Sequence, residues 1–227
     1  MRGLPDVRRK LDRLNDQIIG RLQDRSRFLL NTAIYRPDGI HIEGKKGIRF
    51  LDHALAGIET YHATLGRFRF PDQYPLYPEA VTEAPVKWSF DMPAIPTVNL
   101  SIQDDIIDFY IKLLSEICEL GDDTTTYGEA AYVDADIVVL MHERINMGRY
   151  VAYFKFMQDP TVLNLLAQPE QLRAALTVKK REDEVIAAAV RSAEQRGLDM
   201  HVIAKMFRWM IDETLDLEVE YLRLLKG

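Results

Sequence analysis

The 227-residue chain carries 29 Lys and Arg against 35 Asp and Glu, a formal net charge of −6, and is 47% hydrophobic and 28% charged. That apolar content supplies one core of ordinary density or two small ones, and the acidic balance offers nucleic acid and anionic lipid no attractive overall field, so neither is expected as a partner. The single cysteine, Cys118, excludes an intrachain disulfide framework and a multi-cysteine zinc site and suits a reducing compartment; the expected location is the cytoplasm, with a secreted mature form as the alternative.

The first thirty residues are charged throughout (Arg2, Asp6, Arg8, Arg9, Lys10) and form no apolar signal region. Leu4 to about Leu30 reads as one helix, with Pro5 in its first turn and Val7, Leu11, Leu14, Ile18 and Leu22 at three- and four-residue steps. Phe50 to Phe68 reads as a second helix. Six of the ten prolines then fall between Pro71 and Pro96, interleaved with Tyr74, Tyr77, Trp88 and Phe90. Because proline fixes φ and lacks the amide hydrogen, residues 69–100 are expected to form a long loop whose aromatics pack on the body. The longest charge-free stretch, Met92 to Gln103, is roughly a dozen residues with two prolines, where a membrane span needs ~20 apolar residues. Ile102–Leu120, Tyr127–Phe156, Glu170 to about Arg196, and Asp199–Leu225 complete the helical segments, with Gly197 as a C-cap and Asp199 as an N-cap. No convincing strand alternation and no solenoid period appear, so the expected fold is all-α, a single domain over residues 1–227.

Several residues stand out chemically. Arg144 and Lys155, eleven residues apart, fall on one helical face at ~100° per residue, flanking Gly148 and Val151, so they call for an anion. A structural salt bridge is the plainer account of that pair, and a ligand is the alternative. Thr214 and Glu218 lie one turn apart in line with Ile203, Phe207 and Ile211 and so face the interior, unless they share the solvated acidic face of Asp212, Glu213, Asp216 and Glu220. Glu182, beside Arg181 and one turn after Val178, has surface ion pairing as its default explanation. Arg8 and Arg25 sit roughly 100° apart on the first helix, a spacing that says little. The five histidines form no ligand set, His41 and Glu43 being the nearest approach to one, so no metal is expected. The twelve glycines form no phosphate-binding or dinucleotide pattern, so no cofactor is expected either, and Cys118 in an apolar run reads as an inert thiol.

Taken together, Leu4-Pro-Asp-Val-Arg-Arg-Lys-Leu-Asp-Arg-Leu-Asn-Asp-Gln-Ile-Ile19 with Asp24-Arg-Ser26 resembles the opening helix of the all-helical chorismate mutases. Gly47-Ile-Arg-Phe-Leu-Asp-His-Ala-Leu55, Arg67-Phe-Arg-Phe-Pro-Asp72, Tyr77-Pro-Glu79, Tyr127-Gly128, the Arg144–Lys155 segment and Glu218-Val-Glu-Tyr-Leu222 extend the likeness to the larger monofunctional eukaryotic form over nearly the whole chain. The resemblance implies rearrangement of chorismate to prephenate without cofactor or metal, usually in a homodimer. It further implies that Arg8 and Arg144 clamp the substrate carboxylates while Lys155 and a protonated Glu218 donate to the ether oxygen. Thr214 would bind a carboxylate and Glu182 would accept from the ring hydroxyl.

The chain also departs from the family pattern. Val178 stands where the family has Asn or Asp near the ring hydroxyl, which leaves as an alternative a mutase or pyruvate lyase acting on a related chorismate-like dianion. Arg181 matches an arginine of the small bacterial form. At the eukaryotic effector site Arg67 and Gly128 are kept, but Gly66, Glu129 and Tyr132 replace Arg, Ser and Thr, and the Arg196–Asp199 connection is short. Activity is therefore expected not to respond to Tyr or Trp. A non-catalytic binding protein on the same scaffold is the remaining alternative, disfavoured by the joint presence of Arg8, Arg144, Lys155, Glu182, Thr214 and Glu218.

Overall fold

The computed structural model describes residues 3–81, 83 and 94–226. Among them the chain forms eight α-helices and three short 3-10 segments, with no strand, which is the all-α class expected from the apolar periodicity. These are α1 (Leu4–Arg25), α2 (Phe50–Thr64), α3 (Gln103–Ile117), α4 (Tyr127–Asn146), α5 (Gly148–Gln158), α6 (Pro169–Leu176), α7 (Lys179–Gln195) and α8 (Met200–Lys226). The stripe read from the first helix is the buried one, since Val7, Ile18 and Leu22 are fully enclosed and Leu14 nearly so. α4 lies between α1, α2, α3 and α8, while α8 runs along α5, α6 and α7 and α1 closes the far side against α5 and α7. None of the described helices is long and apolar enough to cross a membrane.

Several boundaries differ from those the periodicity predicts, among them the end of α3, which comes at Ile117 and not Leu120 because Cys118 turns extended; four others also have a local reason. α1 ends at Arg25, not Leu30, because the chain wraps around that buried side chain, which donates to the carbonyls of Phe28, Leu29 and Leu30. α2 ends at Thr64, before Phe68, because Gly66 adopts φ 83° and its amide and that of Arg67 turn back to the carbonyls of Ala63 and His62, a left-handed cap that glycine enters without penalty. The helix expected over Tyr127–Phe156 is interrupted at Met147, whose carbonyl accepts from both Tyr150 and Val151 as one turn tightens. The segment expected as one helix from Glu170 divides at Thr177 and Val178, where Thr177 turns extended (φ −71°, ψ 130°) and its hydroxyl caps the Arg173 carbonyl at 2.9 Å.

Other signals are met as read. Gly197 caps α7 at φ 71°, and the Asp199 side chain accepts from the amides of His201 and Val202 at 2.7 and 3.2 Å. Within the proline-rich segment Leu76 is buried, Tyr77 donates to Asp52 at 3.2 Å, and the Arg149 guanidinium lies 4.5 Å from the Tyr74 ring centre. The only helical turn among the described residues of that loop is the 3-10 segment Pro78–Ala80. Trp88 and Phe90 lie outside the described residues.

A buried polar knot joins three of the helices. Arg25 on α1 and Asp134 on α4 are both fully enclosed, with Nε to Oδ1 2.6 Å; Tyr110 of α3 donates to the same carboxylate at 2.6 Å and Tyr35 at 2.7 Å. Removing the carboxylate leaves an uncompensated buried guanidinium, so Asp134→Ala is expected to destabilise the protein by roughly 3–5 kcal/mol, read as a fall in the denaturant midpoint. A midpoint unchanged from wild type would show that the knot is dispensable.

Candidate active site

A cavity of about 110 Å³ opens where α1, α5, α7 and α8 converge, and it brings together all eight residues singled out for substrate: Arg8, Arg144, Lys155, Val178, Arg181, Glu182, Thr214 and Glu218. Its apolar wall comes from Leu4, Leu11, Val151, Leu176, Val185, Ile211 and Leu215. The lining therefore sets four cationic side chains, two carboxylates and the neutral polar groups of Asn15 and Thr214 in an otherwise apolar hollow, an arrangement suited to a small polyanion with an apolar body.

Arg144 is 4% exposed and donates only to uncharged acceptors: Asn15 Oδ1 at 3.0 Å, the Met210 carbonyl at 3.1 Å and Thr214 Oγ1 at 3.0 Å. Among the described residues no carboxylate pairs with it, so the plainer salt-bridge account does not hold for this arginine. Burial alone lowers its pKa to about 10, which leaves it cationic at neutral pH. Lys155 is different. Its ammonium meets Glu218 Oε2 at 2.8 Å and also the carbonyl of Leu176, one of the helix-end acceptors released where α6 stops.

Thr214 and Glu218 are buried, at 8% and 3% exposure, while Asp212 and Asp216 on the same helix face solvent and pair with Arg173. The interior reading of that pair is the one realised. Burial pushes the Glu218 carboxyl up to about 7, Glu182 adds to the rise, and Lys155 opposes it. Glu182 is half-buried on the first turn of α7 and makes no ion pair among the described residues, whereas Lys179 and Asp183 form the surface pair expected of that stretch. Arg181 reaches across the mouth to Asp12 of α1 at 2.7 Å. Val178 is 43% exposed and brings an apolar side chain to the cavity. Arg8 is exposed at the rim and is free of ion pairs among the described residues.

Over residues 126–219 the chain matches the family model described as chorismate mutase type II. It is 30% identical to the chorismate mutase of Emericella nidulans over 250 residues, covering 99% of this chain and 93% of that one. The chain belongs to the chorismate mutase family. It is accordingly an isomerase. Two solved structures share the fold at 24% identity: a Candida albicans chorismate mutase in complex with L-Trp, with a TM-score of 0.86 over 98% of this chain and 92% of that one, and AtCM1 with tyrosine bound in its allosteric site, with a TM-score of 0.85 over 100% and 97%.

Two participants in this candidate site escaped the sequence reading. Asn15 lies seven residues after Arg8, two turns along the same face of α1, a spacing that could have flagged it. The Leu176 carbonyl becomes available only because the helix breaks, which periodicity did not predict. Of the effector-type positions, Arg67 is ion-paired with Glu143, while Gly128 and Tyr132 line a separate depression between α2 and α4.

Gly148 explains how α5 and α8 come close enough to build the cavity. A Cβ there would sit 3.0 Å from both the Thr214 methyl and the Thr214 carbonyl oxygen, and 3.2 Å from Leu217. Gly148→Ala is therefore expected to cost roughly 1–3 kcal/mol of stability and to displace Thr214 from Arg144, with kcat/KM falling as Tm falls. Wild-type kcat/KM together with wild-type Tm would refute the close-approach argument.

Proposed function

We propose that this cavity binds chorismate and rearranges it to prephenate. One carbon–oxygen bond breaks as one carbon–carbon bond forms, and no proton passes to or from the protein. The observation that carries the reading is Arg144, a buried cation whose protein partners are all neutral: enclosing such a charge without a counter-ion is costly, and a substrate carboxylate supplies what is missing. Arg144 and Arg8 hold the two carboxylates and so select the compact reactive conformer, with Thr214 and Arg181 assisting. Lys155 and a protonated Glu218, adjacent at 2.8 Å, donate to the ether oxygen as charge develops on it, and Glu182 accepts from the ring hydroxyl.

A second reading rests on Val178. Its apolar side chain reaches the cavity where a polar ring substituent would seek a hydrogen bond, which favours a related chorismate-like dianion. Identifying the product after mixing chorismate with purified protein separates the two. Prephenate supports the first, and unconsumed chorismate overturns it.

The proposal takes the chain as one domain acting as a cytoplasmic homodimer. Compartment does not follow from the family, because plant relatives are named chloroplastic. The expectation that Tyr and Trp leave activity unchanged is set aside, since it does not fit neighbours crystallised with L-Trp or with tyrosine in an allosteric site.

Lys155→Ala should leave the fold intact and lower kcat by roughly a hundredfold or more, the usual worth of one transition-state donor. Near-normal turnover by the folded variant would sink that role. Arg144→Ala should instead raise KM and lower kcat together, because its partner is charged in both ground and transition states.

The pH profile tests Glu218. Its carboxyl, raised to about 7, donates only while protonated, so kcat/KM should fall as pH rises through about 7. Bound dianion raises the carboxyl further, which places the corresponding limb of kcat at higher pH. Glu218→Gln keeps a donor that cannot ionise and should flatten the limb. Identical profiles for wild type and Glu218→Gln would mean that Glu218 is not the ether-oxygen donor.

A further inference from the structure

The three acceptors around Arg144 are not equivalent. Two belong to α8, the Met210 carbonyl and the Thr214 hydroxyl, and neither can become an anion at neutral pH. The third is the side-chain amide of Asn15 on α1, whose oxygen accepts from Nε at 3.0 Å. Only there does a change of one group, NH₂ to O⁻, convert the acceptor to a carboxylate of the same shape.

α1 has acids to hand on either side. Asp12 and Asp16 flank Asn15, yet both turn away from Arg144, Asp12 to Arg181 of α7 at 2.7 Å and Asp16 to Arg196 just past the end of α7 at 2.9 Å. The amide is thus the one polar side chain of this stretch aimed at the buried guanidinium, and it also lines the cavity. A carboxylate in its place would satisfy Nε equally well in geometry, but it would neutralise Arg144 and set a negative charge beside the incoming substrate carboxylate.

We propose that Asn15 is a positioning residue that fixes the plane of the Arg144 guanidinium while leaving its charge uncompensated, and that this neutrality sets the site's affinity for dianions. The inference rests on the chorismate reading of the cavity. It carries a corollary: the free protein holds an unpaired buried cation, so stability is sacrificed at this point for binding.

The test compares Asn15→Asp and Asn15→Ala with wild type, reading Tm of the ligand-free protein and both kinetic constants with chorismate. Asn15→Asp should raise Tm by about 2–4 °C. With chorismate it should raise KM by about tenfold or more, with a smaller fall in kcat. Asn15→Ala strands the Nε donor and frees the guanidinium to turn, so Tm and kcat/KM should both fall. A merely structural asparagine predicts no opposition between stability and KM. The proposal is overturned if Asn15→Asp fails to fold, melts at or below wild type, or has a KM within twofold of wild type. Failure of the chorismate reading would show in the wild type alone, as absent turnover, and the ligand-free Tm comparison would then still decide the role of Asn15.

Discussion

Every residue from Ile137 to Tyr150 is buried, so this stretch of α4 and the start of α5 has no wet face on which to leave a polar side chain. Each polar group on that segment must find its partner on a particular neighbour, and those demands set how the other elements sit. Asp134, just before that stretch and itself fully enclosed, takes Arg25 from the end of α1 and Tyr110 from α3. Glu143 takes Lys10 from the start of α1 at 2.7 Å, and Arg67 from the turn after α2. Arg149 takes the carbonyls of Val98 and Leu100 at 2.8 and 2.9 Å, which straps the segment before α3 onto the body. Because these partners lie at both ends of α1, sliding that helix by one turn would strand several buried charges at once. Arg144 belongs to the same series and, like Arg149, is given only neutral partners, but of the two it is the one that lines the cavity.

The helix break after Leu176 shows how the site depends on an irregularity. A continuous helix would have spent the Leu176 carbonyl on a backbone amide one turn later. Instead Thr177 and Val178 extend, Lys155 takes the released carbonyl, and α7 restarts with Glu182 in its first turn facing the cavity. One local departure thus orients the ammonium and presents a carboxylate opposite it.

That irregularity also marks where sequence was legible and where it was not. Apolar spacing read the fold class and the buried stripe of α1, because those depend on which face of a helix meets the core, while for Thr214 and Glu218 it left the interior position open beside a solvated acidic face. Gly197 and Asp199 were readable because helix ends have local chemistry. Gly66 was not read as a stop, since glycine inside an apolar pattern signals a break only when the backbone after it turns left-handed. The interruptions at Met147 and Thr177 leave the apolar periodicity intact; Gly148, directly after Met147, was the one local signal and was read only as a small residue between the two cations. The eight candidate residues converge on one cavity, yet the resemblance, not their spacing, selected Arg8 and Glu182 from among many similar surface charges. Asn15 went unnoticed because its importance lies in a contact with a residue on another helix.

Buried Arg144 and half-buried Lys155 are neutralised to different degrees, and that difference couples binding to protonation. Arg144 stays charged at neutral pH with no counter-ion, whereas Lys155 shares its charge with a carboxyl that titrates near 7. Above that pH Glu218 is ionised, its charge offsets the ammonium, and the cavity is less attractive to a dianion. Below it Glu218 carries a proton, the cavity gains one net positive charge, and the same carboxyl becomes a hydrogen-bond donor. In the proposed mechanism the form that binds a dianion better is therefore also the form that can stabilise charge on the ether oxygen. By linkage, a dianion that prefers the protonated site must draw a proton to it, so substrate binding near neutral pH prepares the acid that the rearrangement uses.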